Sequence, residues 1–115
     1  MGGSEKKPEN KMKKFRIRID PMALEDIQRI TDWYNQQQEM VGKRFQDSTI
    51  KQINKLAKDP NSFAIRYNEI RCMQVKKFPY MVHFYINEKL GFVDVLAVIS
   101  THRNPKIWEE KTKRP

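Results

Sequence analysis

The clearest period along the chain is two. Residues 80–86 (YMVHFYI) set Tyr80, Val82, Phe84 and Ile86 on one side and Met81, His83 and Tyr85 on the other, as in a strand with one buried face. The same alternation runs through 14–20 (KFRIRID), where Phe15, Ile17 and Ile19 interleave with Arg16 and Arg18. Residues 92–99 (FVDVLAVI) are apolar on both faces apart from Asp94, which predicts an interior, central strand. A further strand is expected over 69–75 (EIRCMQV), and 87–91 (NEKLG) supplies a glycine-containing hairpin connection between 80–86 and 92–99.

Between the first strand and the rest the period lengthens. Asp20-Pro21 is a helix start, an N-cap side chain followed by proline at the first helical position. Leu24, Ile27, Ile30 or Thr31, and Tyr34 recur at helical spacing, with Glu25 and Asp26 near the positive end of the dipole. This helix should end near Gln38. A second runs from about Val41 to Lys58, with Phe45, Thr49, Ile53 and Leu56 on one face and Asp59-Pro60 as its stop. The short link predicts an antiparallel αα-hairpin. Asn104-Pro105 opens a last helical turn that carries Trp108. The predicted order is β-α-α-β-β-β, an α+β fold in which a helical hairpin packs on a small antiparallel sheet.

Length and composition refine this picture. The 115 residues suit one domain, expected over 14–110. Residues 1–13 are polar, charged and almost free of large apolar side chains, and predict a disordered basic tail. Met1-Gly2-Gly3-Ser4 has the look of an appended leader and is set aside. Residues 111–115 read as a second basic tail. The net charge of +9 favours encounter with acidic partners, whether nucleic acid, ribosome or protein. One cysteine, Cys72, excludes an internal disulfide and a cysteine metal cage. With two histidines and four glycines, neither a His-rich metal site nor a phosphate-binding glycine loop is expected. No metal or cofactor is therefore predicted. No apolar run approaches the ~20 residues that cross a bilayer, and a cytoplasmic location without membrane contact is expected.

The candidate chemistry is basic and aromatic. Arg66, Arg71, Lys76, Lys77 and Arg103 are interleaved with Tyr67, Phe78, Tyr80 and Tyr85, a mixture that holds phosphates and stacks bases or forms a solvated rim around core aromatics. His102 falls at a strand end beside Arg103, where an imidazole could act as a general base or be a plain loop residue. His83, mid-strand, is expected to face solvent or to be satisfied locally. Trp33 and Tyr34 either belong to the helix core or edge a groove that a partner helix could fill.

Several of these pieces resemble, in order, the RelE/ParE toxin superfamily over residues 23–108. They are Ala23-Leu24-Glu25-Asp26-Ile27 with Trp33-Tyr34, Gly42-Lys43-Arg44-Phe45, Asp59-Pro60, Ile70-Arg71, Lys76-Lys77-Phe78-Pro79-Tyr80, and Val95-Leu96-Ala97-Val98 with His102-Arg103-Asn104-Pro105 and Trp108. The resemblance implies the small α+β toxin fold and a cognate antitoxin whose acidic C-terminal segment neutralises the toxin, docking over Trp33, Tyr34 and Phe45.

It also implies one of two activities. ParE-like members bind DNA gyrase, for which Arg103, His102, Trp108, Tyr85 and Lys77 are the target-binding candidates. RelE-like members are metal-independent endoribonucleases that cut messenger RNA on the ribosome. In that branch His102, Arg103, Arg71, Lys76 and Lys77 would surround the scissile phosphate. Met81 stands where the ribonuclease branch commonly has arginine, and Trp108 where it tends to have tyrosine. These departures favour the ParE-like side. A toxin fold without toxicity is the third alternative.

Overall fold

In a computed structural model, which describes residues 14–113, the opening strand β1 (Arg16–Ile19) leads through Asp20 into helix α1 (Pro21–Gln37). The Asp20 carboxylate accepts the Met22 N–H at 2.8 Å, so the predicted cap is in place. Helix α2 (Val41–Lys55) follows, and a single 3-10 turn (Pro60–Ser62) marks the Asp59-Pro60 stop. Then come β2 (Ile65–Tyr67), β3 (Ile70–Gln74), β4 (Tyr80–Asn87), β5 (Phe92–Ser100) and helix α3 (Lys106–Lys111).

The strands form one five-stranded sheet in the order β1-β5-β4-β3-β2. It is mixed rather than wholly antiparallel, because β1 lies parallel to β5, with Ile17 opposite Val93 and Ile19 opposite Val95. The helical hairpin lets the chain leave β1 and return to its flank only after the β2–β5 meander, so the last strand arrives in the same direction as the first. Strand β5 is interior, as its two-sided apolarity requires, but the central place belongs to β4.

One face of the sheet meets the helices. Ala23, Ile27 and Ile30 of α1 and Phe45, Ile53 and Leu56 near α2 pack on Val82, Phe84, Val93, Val95 and Val98. Phe45 has no exposed surface, and such a buried ring contributes about 1.5–3 kcal/mol. Leu24 is half exposed and Ala23 takes its place in the core. The reason lies three residues on: Asp26 is buried, and turning it inward rotates Leu24 outward. Glu25 and Asp26 also sit beyond the first turn of α1, where the dipole acts less. Gly42 lets the two helices touch. A Cβ there would collide with the Thr31 carbonyl oxygen and the Asn35 side chain, whose Oδ1 accepts the Gly42 N–H at 2.9 Å.

Strand β2 was not expected. Asn68 and Glu69 both have positive φ, 42° and 63°, and form the tight hairpin turn into β3. The predicted strand start at Glu69 is therefore the turn itself. At the C-terminal end the expected domain limit at 110 is corrected, since Lys111 reaches Asp26 and Thr112 is buried. The remaining tail residues, 1–13 and 114–115, lie outside the described residues.

Candidate functional site

The β3–β4 turn and the end of β5 meet at one end of the sheet. Thr101 donates from N and Oγ1 to the Pro79 carbonyl, at 2.9 and 3.3 Å. Ser100 then anchors the exit turn, its carbonyl accepting the Arg103 N–H and its hydroxyl the His102 N–H, both at 3.1 Å. His102 and Arg103 are thus held side by side and exposed. Asn104 Oδ1 accepts the Lys106 N–H at 2.9 Å and starts α3.

This turn, α1 and α3 enclose a cleft of about 320 Å³. Its floor is Ile30, Val98 and Ile99, and its walls carry Arg29, Trp33, Tyr80, Ser100, Arg103 and Lys111. One carboxylate organises the cations. β1 covers β5 only as far as Val95; beyond it, Asp26 Oδ2 takes the Val98 N–H at 3.0 Å. Asp26 Oδ1 accepts from Arg29 Nη2 at 2.8 Å and from Lys111 Nζ at 3.0 Å. Arg103 makes no ion pair among the described residues. Three cations therefore face the cleft against one carboxylate.

The structure separates residues that the sequence grouped. Arg103 lines the cleft, with His102 beside it, and Trp33 forms its rim with half its surface exposed. Tyr34 and Phe45 belong to an aromatic cluster with Phe78 and Tyr80, at centroid separations of 5.3–5.7 Å from Tyr34 to Phe45 and Phe78. Burial raises the Tyr34 hydroxyl's pKa, with Tyr80 adding to the shift. Because Phe45 is fully enclosed, no partner can touch it without opening the core. Arg71 is directed away from the cleft, donating to the Phe63 and Asn61 carbonyls. It pairs with Phe84, four residues along β4 from Tyr80, a distance of about 13 Å. Lys76 and Lys77 sit on the exposed β3–β4 turn, where Lys77 holds the left-handed backbone (φ 68°). Tyr85 lies further along β4, opposite Asp94. Of the proposed catalytic set, His102 and Arg103 stand together, Lys76 and Lys77 sit on the neighbouring turn outside the cleft lining, and Arg71 is engaged elsewhere.

A buried polar cluster on the opposite face was not anticipated. His83 is fully buried, not solvent-facing, and its Nδ1 meets the Tyr67 hydroxyl at 2.8 Å. Tyr67 also reaches Thr112 Oγ1 at 3.2 Å, and Thr112 donates to the Trp108 carbonyl at 2.7 Å. The Trp108 ring covers the pair, with centroids 5.2 Å from Tyr67 and 5.0 Å from His83, and Arg66 lies 5.4 Å over its outer side. Trp108 is thus a packing residue of α3. Burial first, then the positive charge of Arg66, lowers the His83 pKa to about 4. Burial likewise pushes the Cys72 thiol up to about 11. Both groups are neutral near pH 7. The alternation that set His83 opposite Val82 and Phe84 was the one available signal; what covers that face is set by residues far along the chain.

Among the described residues no cluster of ligating side chains could hold a metal ion, and no helix is long and apolar enough to cross a membrane.

Comparison with curated protein sequences gives no significant match. Among solved structures, the chromosomal ParDE toxin–antitoxin system of P. aeruginosa contains a chain that superposes with a TM-score of 0.67 at 16% identity, covering 75% of this chain and 95% of that one. An arginine-substituted mutant of the E. coli toxin RelE in the free state gives 0.66 at 13% identity, covering 88% and 97%. A chain of the intact E. coli RelBE toxin–antitoxin complex gives 0.59 at 13%, covering 77% and 99%. At such identities the likeness establishes the fold, the α+β arrangement of RelE and ParE toxins. The sequence model for the ParE toxin of the type II toxin–antitoxin system parDE matches residues 17–105, most of the chain and both walls of the cleft except α3. The chain belongs to the ParE toxin family of type II toxin–antitoxin systems.

Proposed function

We propose that this toxin arrests growth by binding DNA gyrase through the cleft between α1, the end of β5 and α3, and that an antitoxin with an acidic C-terminal segment neutralises it by covering that cleft and the α1 face beside Trp33. The observation that carries this reading is the make-up of the cleft: an exposed tryptophan and two arginines around an apolar floor. Tryptophan and arginine dominate the energetic centres of protein interfaces. The surplus of positive charge suits an acidic partner segment.

The ribonuclease reading is favoured by the adjacency of exposed His102 and Arg103. It needs several cations around one phosphate, and Arg71 is engaged elsewhere with backbone carbonyls. No histidine is among the residues that line the cleft. The test is to give the purified chain to gyrase on relaxed plasmid and, separately, to translating ribosomes. Loss of supercoiling with intact messages supports gyrase binding; cleaved messages with normal supercoiling overturn it.

A further inference from the structure

A second positive surface runs along α2 toward the opposite end of the sheet. Arg44, Lys51, Lys55 and Lys58 follow one another at spacings of seven, four and three, which aligns them along one side of α2 and the turn that continues it. All are exposed, and the stripe is about 21 Å long. Lys14 joins it from the start of β1, held there because the Phe15 N–H donates to the Ala57 carbonyl at 2.7 Å. Lys14, Lys51, Lys55 and Lys58, with Asn54 and Ala57, line a shallow depression of about 590 Å³.

None of these cations has an ion-pair partner among the described residues. The neighbouring acids form no ion pair with them among the described residues: Asp47 is taken by Lys43 at 3.0 Å, and Asp59 shares the adjoining depression with Lys55 and Lys76 without pairing to either. The Arg103 cleft stands at the far end of β5, roughly 26 Å at strand rise from the end where Lys14 lies.

We infer that this lysine stripe binds the phosphate backbone of duplex DNA, without sequence preference and independently of the Arg103 cleft. Three features select this occupant. The cations are mostly lysines, point charges suited to phosphates and not to planar recognition. The depression has no aromatic lining, so it lacks the stacking platform with which proteins hold single strands. Duplex DNA carries a charge every ~1.7 Å along its axis, and its condensed counterions make a row of lysines far more effective on it than on an acidic peptide.

The test is fluorescence anisotropy of a labelled 20-base-pair duplex with the full chain, repeated with the single strand and with polyglutamate as competitor. Lys51→Ala/Lys55→Ala/Lys58→Ala removes three phosphate contacts from exposed positions. It should weaken duplex binding about tenfold or more and flatten the slope of log K against log salt by about 2.7. The corresponding triple arginine variant should bind like the parent, and Arg103→Ala should leave duplex binding unchanged while impairing toxicity. Equal duplex binding by parent and triple alanine variant would overturn the inference. So would tighter binding of the single strand, or displacement of the duplex by polyglutamate at equal charge concentration.

Discussion

Replacing Asp26 by alanine should be among the most damaging single changes in this fold. Asp26 is buried on α1, yet it serves three elements at once: the Val98 N–H of β5, Arg29 of its own helix and Lys111 of α3. Loss of the carboxylate orphans a buried backbone donor, which costs about 1–3 kcal/mol. Lys111, whose side chain is only 26% exposed, loses its partner, and stranding a half-buried charge adds about 1–2 kcal/mol. Arg29, at 57% exposed, regains water and adds little. The sum is about 3 kcal/mol, equivalent in a domain of this size to a drop in Tm of roughly 12 °C or more. Asp26→Asn keeps an oxygen for Val98 and should cost about 1–2 kcal/mol. Urea unfolding followed by circular dichroism measures both, with the m-value checking that the transition stays two-state. A loss below about 1 kcal/mol for Asp26→Ala would refute the reasoning, as would an asparagine variant no more stable than the alanine one.

Other expectations follow from single contacts. Gly42→Ala should destabilise by about 1–2 kcal/mol in the same assay, because the collision with Thr31 outweighs the helix-propensity gain of alanine. Thr49 is fully buried and its hydroxyl has no partner among the described residues, so Thr49→Val should raise stability by about 1 kcal/mol. His83 has its pKa lowered to about 4, below its ordinary 6.5 in the unfolded chain, so the unfolded state binds the extra proton first. Its stabilising effect is complete above pH 6.5 and is lost as pH falls toward 4, by up to about 1.4 kcal/mol per pH unit. His83→Gln should remove that slope from a pH series of urea melts.

The helices were legible because their signals are local. Asp20-Pro21 caps one end of the hairpin, Asp59-Pro60 stops the other, and the Phe45–Thr49–Ile53–Leu56 face is fully buried as its spacing implies. Strands β4 and β5 were legible through alternation, while β2 was hidden by a hairpin turn, Asn68-Glu69, that lacks the usual glycine. The parallel pairing of β1 with β5 joins residues more than seventy positions apart and leaves no local mark. The site divides in the same way. Trp33 and Arg103 stand out by type and position, but nothing in the sequence singles out Arg29, and Lys111 reads as part of the basic tail. Only the buried Asp26, 85 residues from Lys111, draws them to the cleft. Trp108 is placed on the last helical turn by Asn104-Pro105, but nothing local tells that its ring closes over His83 and Tyr67.

The most direct measurement of the central claim is calorimetric titration of the purified toxin into DNA gyrase, with the parent chain and with Arg103→Ala. Saturable binding by the parent, weakened about tenfold or more in the variant while its melting temperature is unchanged, is the predicted result. No heat of binding to active gyrase from a folded parent chain would contradict the account, as would an Arg103→Ala variant that binds as tightly as the parent.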